Sequence, residues 1–368
     1  MESSYIRYNK IICLSFNQNN TCFCIGTNKG FTIYKLYPLK DYYIRELKGG
    51  VGLISMFNTS NILALVGGGD RPFSSLDTLV IWDDATGKAI TSIKVDHEIK
   101  SIRVKDSLII IICKNKSYFY YYDSLENIKN YQKIDEIGIP YNISCILGLS
   151  LSPKINIIAY STKNLGEIKI KQYLQLPDAK NVKEFNITPH QSEVAFIAIS
   201  FEGDFLASCS EKGTVIKLTS IKDKKVIKEL RRGNDNAEIY CINFDKTAQY
   251  LLCTSSKGTV HIFNVNDKKD SVVQNKKSIF SSITSYIQTD YLNYFKSEWS
   301  FAQCHIDYKG RNFANFCDDN NIIVVLTDEG KYLRAKIPES KSGECKIIEK
   351  KDYFYMENNK DDEDTFDY

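Results

Sequence analysis

Short apolar segments, separated by turns rich in Gly, Asn and Asp, run along almost the whole chain. Residues 194–200, 206–210 and 214–218 show the arrangement: an apolar segment, a turn, a segment of small residues, a Gly-containing turn and a β-branched segment. Short segments with β-branched residues, bounded by turn formers, favour β-strands over helices. The pattern therefore predicts an all-β protein.

The same unit recurs about seven times at a spacing of roughly 40–50 residues. The copies begin near residues 11, 52, 99, 143, 194, 239 and 299. This spacing is the blade period of a β-propeller, in which units stack around an axis because one unit cannot bury both its faces alone. A β-sandwich is the structural rival, but it does not explain seven similar units. We therefore predict a seven-bladed, WD40-like β-propeller, with weak added support from Trp82-Asp83.

Some stretches depart from the repeat. Residues 66–77 form a Gly-rich excursion in the second unit, and no Lys-Ser/Thr pair follows to make a phosphate-binding loop, so we expect a mobile turn. Residues 267–297 form a long insertion in the sixth unit. Residues 357–368 are acidic, which predicts a disordered, solvated tail. The expected organisation is one propeller over residues 1–356, followed by this tail.

The composition limits the classes of function. The chain has 48 Lys and Arg against 45 Asp and Glu, and a net charge of only +3 does not mark a nucleic-acid binder. No apolar stretch approaches the ~18–20 residues that span a bilayer, and the first residues lack the apolar run of a signal peptide. We expect a cytoplasmic protein that is soluble or peripheral on membranes, with reduced and buried cysteines.

The motifs indicate neither catalysis nor metal binding. The chain has four histidines, and no nucleophile elbow, zinc-protease helix or P-loop accompanies them. Cys22 and Cys24 are not at a zinc-knuckle spacing, and no matching Cys or His pair follows them. We therefore expect no catalytic residue, no metal and no cofactor.

The densest candidate chemistry surrounds Leu230-Arg231-Arg232-Gly233. Neighbouring side chains of an extended chain point in opposite directions, so the two arginines can serve two separate anion pockets. Arginine presents a planar fork that matches phosphate, and the flanking units supply hydroxyls, glycines and one histidine on each side. The alternative is a pair of solvated turn arginines with surface salt bridges.

The insertion combines a basic start with an apolar helical face. Phe280, Ile283 and Ile287 recur at three- and four-residue steps, and polar residues lie opposite. Because Ser, Thr and Tyr are mediocre helix formers, we expect disorder in water and ordering on a membrane. The alternative is a surface loop or a helix packed on the propeller. The residues assigned to membrane insertion are Lys276, Lys277, Ile279, Phe280, Ile283 and Ile287.

Residues 210–263 resemble the signature of the PROPPIN family, the WIPI proteins of autophagy, whose hallmark is Phe/Leu-Arg-Arg-Gly. Residues 65–69 (LVGGG), 80–84 (VIWDD), 240–244 (YCINF) and 297–303 (SEWSFAQ) are also similar to the family. The leucine before the arginines and the triple glycine resemble its WIPI three/four branch. The resemblance implies a propeller that binds phosphatidylinositol 3-phosphate and phosphatidylinositol 3,5-bisphosphate, without ranking the two lipids.

Carried over position by position, the resemblance implies two pockets. Lys217 stands where many relatives have a basic residue, often arginine, and it lacks the bidentate fork. Protonation of the pocket histidines is expected to add charge in mildly acidic conditions. The first pocket comprises His190, Ser208, Ser210, Gly213, Thr214 and Arg231. The second comprises Arg232, Ser255, Ser256, Thr259 and His261.

The resemblance also implies a role and partners. We expect an adaptor recruited peripherally from the cytoplasm to phosphoinositide-rich membranes of the autophagosome precursor, endosome, vacuole or lysosome. The expected protein partner is a rod-like lipid-transfer protein of the autophagy-two type, bound away from the lipid pockets. We expect a monomer with no nucleic-acid partner. The competing hypothesis is a propeller scaffold that binds only proteins, which needs neither the arginine motif nor the insertion.

Overall fold

The computed structural model describes residues 10–138, 146–265, 297–308, 310–317, 321–339 and 342–354. Within these ranges the strands form seven sheets, and each sheet contains four antiparallel strands. The first strands of most neighbouring sheets contact each other, which arranges the sheets as blades around a central axis. The predicted all-β, seven-bladed propeller is confirmed.

The strands of the first four blades follow one another without interruption in the sequence order. Blade three also carries a short 3-10 turn, Ile128–Asn130, before its last strand. Blade one contains β1 (Ile11–Phe16), β2 (Cys22–Thr27), β3 (Gly30–Lys35) and β4 (Lys40–Glu46), and blade two contains β5 (Val51–Met56), β6 (Ile62–Gly67), β7 (Thr78–Asp83) and β8 (Lys88–Lys94). Blade three contains β9 (Ile99–Lys105), β10 (Leu108–Cys113), β11 (Lys116–Tyr121) and β12 (Gln132–Gly138), and blade four contains β13 (Leu147–Leu149), β14 (Asn156–Ser161), β15 (Ile168–Tyr173) and β16 (Val182–Ile187).

Blades five and six differ from the others because each gains a short fifth strand from later in the chain. Blade five contains β17 (Val194–Ile199), β18 (Phe205–Ser210), β19 (Val215–Ser220), β20 (Lys225–Arg231) and the added β24 (Glu298–Trp299). Blade six contains β21 (Ile239–Phe244), β22 (Tyr250–Ser255), β23 (Thr259–Asn264), β25 (Ala302–His305) and the added β29 (Gly343–Glu344). Blade seven contains β26 (Asn312–Phe316), β27 (Ile322–Thr327), β28 (Lys331–Lys336) and β30 (Lys346–Asp352).

The burial of each strand follows its place in the blade. The second strands β2, β6 and β10 are buried along their whole length, and β10 reads LIIIIC. A strand covered by neighbouring sheets on both faces has no solvent side, so its sequence is a continuous apolar run. The fourth strands lie at the rim, and β4 and β30 are mostly exposed. The rim is therefore where polar sites are available to ligands.

Side-chain contacts join blades seven and one. Tyr332 Oη donates to Leu36 O at 2.8 Å. The ring of Tyr353 packs against Phe23 and Tyr34, with ring centroids 5.1 and 5.4 Å apart. These buried aromatic contacts hold the first and last blades together, which closes the core of the propeller.

The structure corrects the predicted start of the seventh unit. The sequence predicts that this unit begins near residue 299, but Ala302–His305 pairs antiparallel with β23 as the fourth strand of blade six. Blade seven begins at β26. The prediction failed because the insertion separates β25 from β23 in the sequence. A local sequence pattern does not indicate which distant strand a segment pairs with. β23 and β25 are thus two strands of one sheet, although the insertion and β24 lie between them in the sequence.

The Gly-rich excursion of blade two, for which the sequence predicts a mobile turn, is hydrogen-bonded to the start of the blade. Gly50 N donates to Arg71 O at 2.7 Å, and Gly50 O accepts from Gly68 N at 3.0 Å and from Phe73 N at 3.1 Å. A Cβ atom on Gly68 would lie 2.3 Å from Gly52 Cα. The glycines are therefore needed because two main chains pack directly against each other, which only residues without a side chain permit.

Candidate anion-binding site on blades five and six

Blade five presents a row of polar side chains on one face. Ser208 on β18 pairs with Lys217 on β19, which pairs with Glu229 on β20. Directly paired residues point to the same side of a sheet, and so do residues two apart along a strand. Arg231 at the end of β20 therefore shares this face, as does its strand partner Trp299.

His190 covers this face from the connection between blades four and five. Its Nε2 is hydrogen-bonded to Ser208 Oγ at 2.8 Å, and both side chains are buried. Burial, followed by the charge of Lys217, lowers the pKa of His190 to about 4. Lys217 Nζ in turn forms an ion pair with Glu229. The first predicted pocket thus contains a neutral imidazole, a hydroxyl and a lysine whose charge is partly compensated.

The opposite face of blade five packs against blade six. Leu230 is fully buried in an apolar cluster with Ile242 and Leu251 of blade six. Arg231 points away from this cluster. Arg232 lies on the side of blade six, and its positive charge helps to lower the pKa of His261 on β23. The two arginines therefore act on different blades, as strand alternation predicts.

The side chain of Arg232 is held by main-chain carbonyls. Its Nε donates to Gly213 O at 2.9 Å and its Nη2 donates to Asp235 O, while its amide donates to Thr214 O at 2.9 Å. Only 4 % of the residue is exposed. Gly213 and Thr214 were assigned to the first pocket and Arg232 to the second, so the turn between β18 and β19 ties the two pockets together.

The second predicted pocket is built on β23, β25 and the segment just before β25. His261 Nδ1 is hydrogen-bonded to Ser300 Oγ at 3.1 Å, and Thr259 Oγ1 to His305 Nδ1 at 3.2 Å. Burial is the main cause that lowers the pKa of His261 to about 4, with the charge of Arg232 second. The expectation that His190 and His261 gain charge in mildly acidic conditions is therefore wrong for this structure, because both imidazoles stay neutral well below neutral pH.

The serines at the predicted pockets also shape the turns between the second and third strands. Ser210 O accepts from Gly213 N at 2.9 Å, and Ser255 O accepts from Gly258 N at 3.2 Å. Ser256 N donates to Glu238 O, just before β21, at 2.9 Å. Both Gly213 and Gly258 have positive φ, at +62° and +72°, which favours glycine. These bonds give the two turns the same form on blades five and six.

Sequence reasoning missed several residues that contact the predicted pockets, among them Ser297 and Ser300. Arg231 Nε donates to Ser297 Oγ at 2.7 Å, and Ser300 Oγ lies beside His261 as described above. Ser297 and Arg231 are 66 positions apart in the sequence. The motif that contains both serines was noted for its family resemblance, but nothing local indicated that it returns to the pockets.

Other predicted elements fall outside this site. The six residues assigned to membrane insertion, and the acidic tail, lie outside the described residues. Across the described ranges, no cluster of three or more His, Cys, Asp or Glu side chains is arranged to hold a metal ion. No helix in those ranges is both long and apolar enough to cross a bilayer. The described cysteines are free thiols, and most are buried.

The fold and the site define a class: a seven-bladed propeller whose fifth and sixth blades carry basic, hydroxyl and imidazole groups on either side of an Arg-Arg pair. A family model described as PROPPIN matches residues 10–353. The chain therefore belongs to the PROPPIN family of autophagy-related, phosphoinositide-binding propellers, which are binding scaffolds rather than enzymes.

Curated relatives agree with this assignment. The chain is similar to SVP1-like protein 2 of Pichia angusta, at 29 % identity over 326 residues that cover 86 % of this chain and 87 % of the relative. It is also similar to autophagy-related protein 18 of Dictyostelium discoideum, at 26 % identity over 354 residues that cover 92 % of each chain.

Solved structures share the fold. Kluyveromyces lactis Hsv2 with its complete loop 6CD superposes with a TM-score of 0.74 at 22 % identity, covering 94 % of this chain and 99 % of that chain. A complex of KlAtg21 with the coiled coil of AgAtg16 gives a TM-score of 0.71 at 22 % identity, with the same coverage. At this identity the likeness shows the propeller fold alone.

Proposed function

We propose that this chain is a peripheral membrane effector that binds phosphatidylinositol 3-phosphate and phosphatidylinositol 3,5-bisphosphate through the two pockets beside Arg231 and Arg232. The observation that carries the proposal is the alternation around these arginines. Arg231 shares a face of blade five with Ser208, which contacts His190, and Arg232 acts on His261 of blade six. Each arginine is thus matched with one buried imidazole and nearby hydroxyls.

The chemistry of the pockets suits phosphate monoesters. Guanidinium groups donate several N–H bonds and keep their charge at all physiological pH values. A neutral imidazole adds one N–H donor, and the hydroxyls of Ser208 and Thr259 add more at low desolvation cost. Arg232 is fixed by Gly213 O and Asp235 O, so its charge is held in place before a ligand binds. Preorganised donors of this kind favour an anion over the water that it replaces.

The insertion is proposed to contact the bilayer. It leaves the sheet after β23 and returns at Ser297, which bonds Arg231. Lys276 and Lys277 would meet anionic headgroups, and Ile279, Phe280, Ile283 and Ile287 would enter the apolar boundary. Headgroup pockets and an insertion on one rigid body reinforce each other through effective concentration. Binding is therefore expected to be strong only on membranes that display the lipid.

The cellular role and partners are proposed on the same basis. A propeller that reads these lipids would be recruited from the cytoplasm to autophagosome precursors, endosomes, vacuoles or lysosomes. Its remaining blades would hold protein partners, among which we propose a rod-like lipid-transfer protein of the autophagy-two type. The competing function, a scaffold that binds only proteins, is disfavoured because it gives no reason for each arginine to be matched with an imidazole and hydroxyls.

Flotation with vesicles across the phosphoinositides tests the proposal. The double variant Arg231→Ala/Arg232→Ala should lose binding to phosphatidylinositol 3-phosphate vesicles, and circular dichroism should show that it is folded. Phe280→Asp/Ile283→Asp should weaken vesicle binding while leaving soluble inositol 1,3-bisphosphate binding unchanged. Retained vesicle binding by the double arginine variant would exclude the two-pocket function. Equal loss of vesicle and headgroup binding by the insertion variant would point to misfolding instead.

A further inference from the structure

Trp299 occupies an unusual position beside the first pocket. It lies on the two-residue strand β24, which runs parallel to the outer strand β20 and pairs Trp299 with Arg231 and Glu298 with Leu230. Paired residues share a face of the sheet, so Trp299 lies on the face that carries Arg231 and Ser208. Its side chain nevertheless remains 47 % exposed. A large aromatic residue is therefore presented to solvent next to a basic site.

The segment around Trp299 is fixed on both sides. Ser297 Oγ accepts from Arg231 Nε at 2.7 Å, and Glu298 forms an ion pair with Lys228 at 3.3 Å. Ser300 Oγ is hydrogen-bonded to His261 Nδ1 at 3.1 Å. These contacts reach both predicted pockets, so the main chain at Trp299 is held in register with the site. The exposed indole is consequently held in a fixed place beside the first pocket.

We propose that Trp299 is an interfacial membrane anchor, whose indole enters the headgroup region of the bilayer when the first pocket holds an inositol phosphate. The inference rests on the proposed function, because a lipid headgroup bound beside Arg231 brings the bilayer surface to that rim. Indole has an apolar body and a polar N–H, and it prefers the boundary between headgroups and acyl chains. The exposed aromatic surface that is unfavourable in water would there be covered.

Trp299 differs from the residues already assigned to membrane insertion. Those residues lie within 276–287, whereas Trp299 belongs to a strand of blade five. Its contribution should therefore depend on the pocket and be separable from that of the insertion. Trp299 also sets the orientation of the propeller on the membrane, because an anchor beside one pocket fixes the tilt of blade five relative to the bilayer.

Fluorescence gives a direct test because the chain has two tryptophans, Trp82 and Trp299. In the Trp82→Phe variant, Trp299 is the only fluorescent indole. On vesicles of phosphatidylcholine with phosphatidylinositol 3-phosphate, its emission should shift to the blue, and brominated acyl chains should quench it. The Trp299→Phe variant, which keeps only Trp82 of blade two, should show neither change. Bound protein without quenching of Trp299 would overturn the proposal.

Affinity measurements separate an anchor from a pocket wall. Trp299→Ala should weaken vesicle binding about tenfold, which matches partial burial of an aromatic side chain. Its affinity for soluble inositol 1,3-bisphosphate should stay within about twofold of the wild type, and Trp299→Phe should recover part of the vesicle binding. A matched control is Leu174→Ala, an exposed leucine (44 %) just after β15, at the opposite end of its blade from the pockets. This control should bind vesicles normally.

Each result has a distinct meaning. If Trp299→Ala binds vesicles like the wild type, the anchor is excluded while the two-pocket function stands. If Trp299→Ala loses vesicle and soluble headgroup binding equally, Trp299 is a wall of the pocket and the anchor is likewise excluded. If the wild type binds neither the soluble headgroup nor the vesicles, the proposed function fails and the inference fails with it.

Discussion

His190 Nε2 lies 2.8 Å from Ser208 Oγ, and this contact joins the connection after blade four to the second strand of blade five. Both residues are buried, at 7 % and 0 % exposure. The imidazole is therefore a fixed, neutral partner of the hydroxyl rather than a solvent-exposed titrating group. Across the Arg-Arg motif, the buried imidazole of His261 is likewise neutral and hydrogen-bonded to the half-buried Ser300. This arrangement leads to predictions about pH, stability and binding.

The stability of the fold should decrease with acid because of His190. Its pKa is about 4 in the folded protein and near the ordinary value of 6.5 when unfolded. As pH falls below about 6.5, only the unfolded state takes up the proton, so the free energy of unfolding decreases until about pH 4. The contribution of His190 at pH 5 should be about 2 kcal/mol smaller than at pH 7.

Urea unfolding at pH 7 and pH 5 checks this loss. The control is His190→Gln, which removes the titrating group and keeps a hydrogen-bonding side chain opposite Ser208. The variant should lose less stability than the wild type between the two pH values. The prediction is contradicted if both proteins lose the same amount.

Headgroup binding should not improve in mild acid. Both His190 and His261 have pKa values of about 4, so neither gains a charge between pH 7 and pH 5.5. A phosphate monoester loses negative charge over this range, because its second pKa is about 6. The affinity for soluble inositol 1,3-bisphosphate should therefore stay constant or fall. Calorimetric titrations at the two pH values measure this, and tighter binding at pH 5.5 would show that the ligand draws a proton onto an imidazole.

The two arginines should differ in their effect on stability. Arg232→Ala removes the donors to Gly213 O and Asp235 O in a buried setting, and should reduce the free energy of unfolding by about 3 kcal/mol. Arg231→Ala loses the half-buried bond to Ser297 and should cost about 1 kcal/mol or less. Urea denaturation of the two single variants measures the difference. Equal destabilisation would mean that the carbonyl contacts of Arg232 do not hold the turn.

The two glycines next to the arginines should also differ. Gly213 has φ of +62°, and a Cβ atom there would lie 2.0 Å from Ala237 O, so Gly213→Ala should destabilise the fold by about 2 kcal/mol or more. Gly233, the glycine of the Arg-Arg motif, has no atom within 4 Å of a Cβ, and Gly233→Ala should be within about 1 kcal/mol of the wild type. Thermal unfolding compares the pair. If Gly233→Ala is folded but loses vesicle binding, the ligand approaches the main chain at that glycine.

Much of the fold could be predicted because the strands and turns of a blade depend on residues that are close together in the sequence. The continuous apolar run of β10 and the Gly-containing turns before β19 and β23 follow from burial and from turn geometry, which depend on neighbouring residues. The boundary between blades six and seven could not be predicted. The pairing of β25 with β23 spans the insertion, and only long-range contacts decide it.

The sequence by itself determined the number of blades, the place of Arg231 and Arg232 between blades five and six, and their opposite orientation, because strand alternation is a local property. The tertiary structure alone decided what each group does. Burial keeps His190 and His261 neutral, and main-chain carbonyls hold Arg232 in place. Ser297, 66 positions from Arg231 in the sequence, is hydrogen-bonded to it. Desolvation and contacts between distant segments depend on the packed blades, so no local pattern could supply them.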